Sequence, residues 1–208
     1  MASDVNGPQS GYQELLQLRT SPPTERADAA RNRATVLDVA ARLFAEHGAD
    51  QVSMDAIATA AGVGKGTLFR RFGDRAGLAA ALLDARERDL QEAILGGPPP
   101  LGPGAPAADR LAAFVGAYLD YLLGHLDLVR MSETAAPGAR YRIGAYRFWH
   151  RHVALLLAGT AADPDYAAHA LLATLGAEHV TALLPVLGAG RLRAGALRSA
   201  EDMGKSTL

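Results

Sequence analysis

The sequence predicts an all-α protein in two parts, an N-terminal three-helix helix-turn-helix domain and a larger C-terminal helical bundle. Apolar residues recur at intervals of three and four along most of the 208-residue chain, which is the spacing of one face of an α-helix. No stretch alternates apolar and polar residues in the manner of a strand, and no internal repeat is present. Clusters of glycine and proline separate the apolar segments and mark the ends of the helices.

Three segments are expected along the chain. Residues 1–25 form a flexible N-terminal arm of Gly, Ser, Pro and Gln, with at most a helical turn at 12–18. Residues 26–75 form the helix-turn-helix domain, called the head below, and residues 76–208 form the bundle. Arg26, Arg31 and Arg33 either contact phosphates or a minor groove, or belong to an ordinary solvated helix start. For Arg26 the second interpretation is favoured.

The head contains the most specific pattern of the chain. A first helix is predicted over about 29–46, with Gly48 as its C-cap. Two short helices follow in residues 53–72, SMDAIATAAGVGKGTLFRRF, where Ser53 caps the first and Gly62 provides the positive φ of the turn. The second of these helices has Leu68 and Phe72 on its inner face and Lys65, Thr67, Arg70 and Arg71 on its outer face.

This arrangement predicts contact with duplex DNA. In a helix-turn-helix the second helix enters the major groove, and cationic and hydroxyl side chains meet phosphates and base edges. Two packed helices with a glycine turn also occur in proteins that bind no DNA, but the cationic outer face favours DNA. A phosphate-binding loop is excluded because Gly66, and not Ser or Thr, follows Lys65. A dinucleotide fingerprint is excluded because Thr67 stands at its last glycine.

The run from Arg33 to Leu83 resembles the DNA-binding domain of the TetR (tetracycline-repressor) family of bacterial regulators. The matching elements are LFAEHG at 43–48, VSMDAIATAAGVGKGTLFRRF at 52–72 and Arg-Ala-Gly-Leu at 75–78. The resemblance implies DNA contacts at Ser53, Gly64, Lys65, Gly66, Thr67, Phe69, Arg70, Arg71 and Arg75. It also implies a homodimer, and a small-molecule effector bound in the C-terminal bundle.

The expected contacts divide between phosphates and bases. Lys65, Arg71 and Arg75 are expected on phosphates, and Gly66, Thr67 and Arg70 at the groove and its base edges. The sequence departs from the family pattern at four positions: Gly64 replaces the usual Ser, Phe69 the usual Tyr, Gly73 a common Pro, and Arg75 the usual Lys. The first two departures remove hydroxyl groups that would reach phosphates.

Charge and composition are consistent with a cytoplasmic DNA-binding protein. The chain has a net charge of −1, but residues 26–75 contain eight Arg and Lys against six Asp and Glu, a net charge of +2. Cysteine is absent, which excludes disulfides and thiolate metal sites and fits a reducing compartment. The N-terminus lacks the features of a signal peptide, and no apolar run is expected to reach the roughly 18–20 residues of a membrane span. No membrane partner is therefore expected.

The bundle is predicted to contain five or so amphipathic helices. One begins near Asp74, and a Gly- and Pro-rich segment at 96–106 interrupts the helical pattern. Further helices are expected after Asp109, over 141–157, from Asp163 to about 187 with a break near Pro185, and over about 191–203, with a short segment at 126–132. The helix at 163–187 is apolar on more than one face and therefore needs two packing partners.

A second subunit is the natural second partner for that helix, given the family resemblance. We expect a two-fold homodimer in which this helix and the last one form a four-helix interface. Such a dimer places two recognition helices about 34–36 Å apart, or somewhat more, and so predicts a palindromic operator.

An effector pocket is expected among the aromatic residues of the bundle. The candidate ligand-binding residues are Tyr118, Tyr121, Met131, Tyr146, Trp149, His152 and Glu178. Arg130, Glu133 and His179 are further candidate polar anchors, and for any single aromatic residue taken alone an ordinary core position is favoured.

No metal site, cofactor or enzymatic activity is predicted. His150 and His152 are two residues apart on a helix and point in roughly opposite directions, and His125, His169 and His179 show no paired ligand spacing. No nucleophile lies next to a positioned base. Two alternatives to a DNA-binding regulator remain open: a helical small-molecule-binding protein or enzyme with a degenerate head, and a structural dimerisation module.

Overall fold

The computed structural model describes residues 8–19 and 27–205, and these residues form eleven α-helices and no strand. The helices are α1 (Pro8–Leu18), α2 (Ala27–His47), α3 (Met54–Ala60), α4 (Lys65–Phe72), α5 (Arg75–Gly96), α6 (Ala107–Gly124), α7 (Leu126–Glu133), α8 (Ala139–Arg142), α9 (Gly144–Leu157), α10 (Pro164–Thr174) and α11 (Ala177–Gly204). The predicted all-α class is confirmed, and the Gly- and Pro-rich segment lies between α5 and α6 without a helix of its own.

The head consists of α2, α3 and α4 packed around one apolar core. Val36 and Phe44 of α2 meet Ile57 of α3 and Leu68 and Phe72 of α4. The expected caps are present: the Ser53 Oγ accepts a hydrogen bond from the Ala56 N–H at 3.1 Å, and the Asp74 carboxylate accepts one from the Gly77 N–H at 2.9 Å. These local bonds set the starts of α3 and α5.

The turn between α3 and α4 depends on Gly62, whose φ is +65°. We expect Gly62→Ala to lower the free energy of unfolding by about 1–2 kcal/mol, because a Cβ is disfavoured in the left-handed region. A Cβ there would meet no described atom within 4 Å, so the loss is conformational and not steric. Urea unfolding measures it, and Gly62→Asn should lose less.

Gly66 provides the matched control within the same motif. It lies inside α4 with helical backbone and no described atom within 4 Å of an added Cβ. Gly66→Ala should therefore raise the free energy of unfolding by about 0.5–1 kcal/mol. Equal effects of the two substitutions would contradict the left-handed conformation of Gly62.

The bundle core joins α5, α6, α9, α10 and α11. Phe114, Phe148, Leu157 and Leu171 are fully buried at its centre. Helix α5 contributes to both cores, because Leu78 and Ala79 pack in the head and Leu83, Leu90 and Ile94 pack in the bundle. The expected boundary at residues 75 and 76 thus falls at the start of a helix whose first turn still belongs to the head core.

The N-terminal arm differs from the expectation. Instead of a flexible segment with one helical turn, residues 8–18 form α1, which packs against α9. Leu15 is buried, the Tyr12 hydroxyl donates to the Leu95 carbonyl at 3.2 Å, and Glu14 pairs with Arg151 at 2.7 Å. The flexible-arm prediction is therefore wrong for this stretch, while residues 1–7, 20–26 and the expectation for Arg26 lie outside the described residues.

The predicted helix over 163–187 is also interrupted. Helix α10 ends at Thr174, and α11 begins at Ala177 after Gly176, whose ψ of 143° is extended. A Cβ at Gly176 would lie 2.5 Å from the Arg140 guanidinium, so a tertiary contact occupies the space that a side chain would need. The break that the sequence predicts near Pro185 lies at Gly188, where φ is +72° and ψ is 157°.

Helix α11 is long and apolar enough to cross a membrane by length and composition, although one such helix is weak evidence for a membrane protein. The expectation that no segment reaches this length is therefore wrong. Only 11% of its most apolar 18 residues are buried. Its backbone is non-helical at Gly188, and an apolar surface on a helix also serves for packing against protein.

Candidate nucleic-acid interface and internal cavity

The outer face of α4 is exposed and carries a basic side chain near each of its ends. Lys65, Gly66, Thr67 and Arg70 are all exposed, whereas Leu68 and Phe72 are buried against the head core. The N-cap residue Gly64 has no side chain to bond the first N–H groups of the helix. The positive end of the helix dipole therefore stays available to an anion such as a phosphate.

Lys65 forms an ion pair across the helix-turn-helix. Its Nζ lies 2.6 Å from Oδ2 of Asp55, in the first turn of α3, and both side chains are more than half exposed. A phosphate bound by Lys65 would compete with this carboxylate. Phe69 is 40% exposed on the same helix and presents an apolar ring beside the cationic groups.

Arg71 and Arg75, expected on phosphates, have backbone partners within the head. Arg71 Nη1 donates to the Ala29 carbonyl at 2.7 Å and thereby joins α4 to the start of α2. Arg75 Nη1 donates to the carbonyls of Asp50 and Val52 at 2.9 and 3.3 Å and holds the loop before α3. A guanidinium has five N–H donors, and the two Arg75 bonds use only one terminal nitrogen, so Arg75 keeps donors for a phosphate.

A small internal cavity lies in the bundle between α5, α6, α7, α8 and α9. Its volume is about 20 Å³, enough for a single water molecule. Four predicted ligand residues line it: Tyr118, Tyr121, Tyr146 and Trp149. The polar groups facing it are Glu87, Ser132, Glu133 and Arg140.

Three predicted ligand residues lie elsewhere. Met131 belongs to the head core, because the face of α7 that carries it turns towards the head. His152 packs edge-on against Phe114 with ring centroids 5.3 Å apart, and burial lowers its pKa to about 3. Glu178 is exposed and lines a separate open groove of about 360 Å³ together with His179. The structure therefore does not place these three residues in the lining of the internal cavity.

Glu133 and Arg140 form a buried ion pair beside the cavity. Arg140 Nη1 donates to Glu133 Oε2 at 2.9 Å, and the side chains are only 11% and 9% exposed. Arg140 Nη2 also donates to the Leu172 carbonyl at 2.7 Å, and the Ala177 N–H donates to Glu133 at 2.8 Å. Burial raises the pKa of Glu133, against the lowering effect of Arg140. The pair thus connects α7, α8, α10 and α11.

Glu87 is a second buried acid, and sequence analysis missed it together with Arg140. It is 8% exposed on α5, and the Tyr121 hydroxyl donates to its Oε1 at 3.0 Å. Burial raises the pKa of Glu87 to about 7, although the Tyr121 hydrogen bond lowers it. Only its place on the apolar face of α5, with Leu83 and Leu90, was a sign of burial in the sequence.

The raised pKa of Glu87 predicts that the free energy of unfolding falls as the pH rises. The unfolded carboxyl has a pKa near 4.5 and the folded one near 7, so ionisation in the folded state is disfavoured between these values. Stability is lost progressively from pH 4.5 to 7, by about 3 kcal/mol in total, and is constant above. Glu87→Gln should remove most of this loss in urea unfolding at pH 8 and change little at pH 4.5.

Glu92→Gln is the control for Glu87, because Glu92 lies on the same helix with its side chain 60% exposed. It should change the unfolding free energy by less than about 0.5 kcal/mol at either pH. Glu133 contributes a pH dependence of the same sign, which remains in both variants. A Glu87→Gln variant that is no more stable than the parent at pH 8 would contradict the raised pKa.

Comparison with known proteins identifies the head. The family described as "Bacterial regulatory proteins, tetR family" matches residues 36–82, which cover most of α2, all of α3 and α4 and the start of α5. An HTH-type transcriptional regulator of Staphylococcus aureus strain bovine RF122 / ET3-1 is 39% identical over 69 residues, 33% of this chain and 36% of the relative. One from strain USA300 is 40% identical over 65 residues, 31% of this chain and 34% of the relative. The matches thus span about a third of the length of these curated relatives.

Solved structures extend the similarity to the bundle. A TetR-family transcriptional regulator from Pectobacterium atrosepticum superposes with a TM-score of 0.60 at 22% identity, over 86% of this chain and 94% of that one. The fatty acid degradation regulator FadR from Bacillus halodurans gives 0.60 at 18% identity, over 87% and 96%. At these identities the similarity is one of fold. The head thus matches the TetR family of bacterial regulatory proteins in sequence, and most of the chain has the fold of solved TetR-family regulators.

Proposed function

We propose that this protein is a ligand-responsive transcriptional repressor of the cytoplasm that binds a palindromic operator as a homodimer and is released by a small molecule. The observation that carries the proposal is the outer face of α4. No side chain caps its N-terminus, and Lys65, Thr67 and Arg70 are exposed along the helix, as on a helix that enters a major groove. We assign phosphate contacts to Lys65 and base-edge contacts to Arg70 and Thr67.

The homodimer is supported by the apolar surface of α11. Val186 is 72% exposed, and Thr181, Ala182, Pro185 and Ala189 are exposed near it. The second part of α11 is already packed on α6, where Arg193 bonds Asp120. An equivalent surface on a second subunit would cover the remaining face by two-fold symmetry.

The route from cavity to head runs through α5 and α7. Both helices line the cavity, through Leu83 and Glu87 on α5 and Ser132 on α7, and both also reach the head core. Arg130 of α7 further pairs with Asp50 of the head at 2.6 Å. A ligand larger than the present cavity would have to displace these helices and so change the separation of the two heads. Such a ligand can change the separation of the heads only if it binds one arrangement of the helices more tightly than the other.

A second candidate function is a helical small-molecule-binding protein whose head no longer binds DNA. The observations that favour it are the exposed Phe69 ring and the partial neutralisation of Lys65 by Asp55. Selection of bound sequences from a random DNA pool, followed by gel shifts at stated salt, separates the two. An enriched palindrome supports the repressor, and no enrichment together with ligand binding in the bundle supports the alternative.

The dimer is tested by placing a charge on the exposed face of α11. Val186→Glu should convert the dimer to a monomer in sedimentation equilibrium, because two carboxylates would be buried near the symmetry axis without partners. Tyr166→Glu is the matched control: Tyr166 is 73% exposed on α10, outside the proposed interface, and should leave the dimer intact. A dimer that survives Val186→Glu would place the interface elsewhere.

A further inference from the structure

Three potential metal ligands meet at the surface between α9 and α10. His150 lies on α9, and Asp165 and His169 lie on α10. One ligand atom from each residue can be chosen so that all three atoms lie within 4.8 Å of one another. The two imidazole rings are stacked with centroids 3.8 Å apart, and His150 Nε2 lies 3.1 Å from the Asp165 backbone carbonyl and 3.6 Å from its carboxylate.

The backbone fixes the positions of these residues. Asp163 caps α10 by accepting a hydrogen bond from the Tyr166 N–H at 3.0 Å, which sets the first turn of the helix. Asp165 and His169 are four residues apart and therefore lie on the same face of α10. Helix α9 packs directly along α10 and brings His150 to that face. The sequence-based argument against a metal considered only the spacing of histidines along the chain, and thus overlooked this pair across two helices.

Tyr146 holds His169 from the other side. The Tyr146 hydroxyl lies 2.7 Å from His169 Nδ1. When Nδ1 carries the proton and donates it to the tyrosine oxygen, the Nε2 lone pair of His169 is free for a metal ion. A polar partner on the second ring nitrogen is the usual support of a metal-binding histidine.

We propose that His150, Asp165 and His169 form a binding site for a divalent first-row transition metal ion, with Zn²⁺ the best match. Two imidazoles and one carboxylate are a ligand set that Zn²⁺ takes at about 2.0–2.2 Å, with water in the fourth position. Mg²⁺ and Ca²⁺ are disfavoured because they require mainly oxygen ligands, and the cluster offers one carboxylate. The Asp165 side chain is 77% exposed and is free to rotate towards the ion.

The site is connected to the internal cavity through Tyr146. That residue lines the cavity, and the Arg140 guanidinium lies 5.3 Å from the centre of its ring. A bound ion would fix α9 to α10 and hold the Tyr146 hydroxyl on His169, away from any ligand in the cavity. This coupling rests on the proposed effector function, whereas binding of the metal does not.

Isothermal titration of the full-length protein with ZnCl₂ tests the site, and the protein must be prepared without a polyhistidine tag. We expect saturation at one ion per chain. His150→Ala and His169→Ala should each weaken binding by more than the roughly 10–100-fold that loss of an outer-shell partner costs, and Tyr146→Phe by about that factor. His47→Ala and His179→Ala, at exposed histidines outside the cluster, are the controls and should bind as the parent does.

Asp165→Asn covers the case in which loss of a histidine unfolds the protein. Its side chain is exposed, so the fold should remain intact by circular dichroism while zinc affinity falls. The proposal is overturned if the parent takes up no zinc, or if zinc affinity is the same in the cluster variants that fold. Operator binding by metal-free protein is measured separately, so failure here leaves the proposed regulator function standing.

Discussion

Arg140→Ala is expected to lower the free energy of unfolding by about 3–5 kcal/mol. The substitution leaves the Glu133 carboxylate buried with its cationic partner removed. It also leaves the Leu172 carbonyl without the guanidinium that bonds it at 2.7 Å. Urea unfolding at pH 8 measures the loss.

The pH dependence of this loss identifies its cause. Burial already raises the pKa of Glu133, and Arg140 opposes that effect, so removal of Arg140 raises the pKa further. The destabilisation should therefore be largest at high pH and shrink as the pH is lowered through the new pKa, because a protonated Glu133 needs no counter-charge. A loss that does not change with pH would indicate that packing, and not the ion pair, is responsible.

Exposed ion pairs supply the matched comparison. Arg42 and Glu46 are four residues apart on α2, 3.5 Å from each other and about half exposed. Arg42→Ala should cost less than about 0.5 kcal/mol. In the double variant Glu133→Gln, Arg140→Ala, part of the stability should return, and the difference from additivity gives the coupling energy of the buried pair.

The head could be predicted from the sequence because its geometry is determined locally. Ser53 caps α3, and Gly62 at φ +65° turns the chain into α4, as neighbouring residues alone require. The apolar spacing of Leu68 and Phe72 fixes which face of α4 is buried and leaves the cationic face outside. What could not be predicted there is that Arg71 and Arg75 bind backbone carbonyls, since their acceptors lie 42 and 23–25 residues away along the chain.

The bundle was less predictable because its breaks and polar groups depend on distant contacts. The interruption at Gly176 depends on Arg140, which occupies the adjacent space and is 36 positions earlier in the chain. The pairing of His150 with His169, and the burial of Glu87 under Tyr121, likewise follow from how helices pack and not from spacing within one helix. Helix periodicity gave the apolar faces, but it contains no information on which faces meet.

The largest expected effects on DNA binding belong to α4, where Arg70→Ala should relax sequence preference. A bidentate contact between an arginine and a guanine is worth about 1–3 kcal/mol, and a dimer makes it twice, so operator affinity should fall by roughly 10²–10⁴-fold. Binding to unrelated sequences should fall much less. Competition gel shifts with operator and scrambled DNA measure the two affinities, and equal losses on both would contradict base contact by Arg70.

Substitutions at Lys65 and at its ion-pair partner Asp55 are expected to change DNA affinity in opposite directions. Lys65→Ala should weaken operator and scrambled DNA by similar factors and reduce the slope of log affinity against log salt by about 2 per dimer, one for each lost phosphate contact. Asp55→Asn releases Lys65 from the carboxylate 2.6 Å away and removes a negative charge beside the phosphates, so both DNAs should bind more tightly. Both side chains are more than half exposed, and therefore neither change should unfold the head. If Asp55→Asn weakened binding as much as Lys65→Ala, the ion pair itself would be required for docking, and Lys65 would be a structural residue of the helix-turn-helix instead of a phosphate contact.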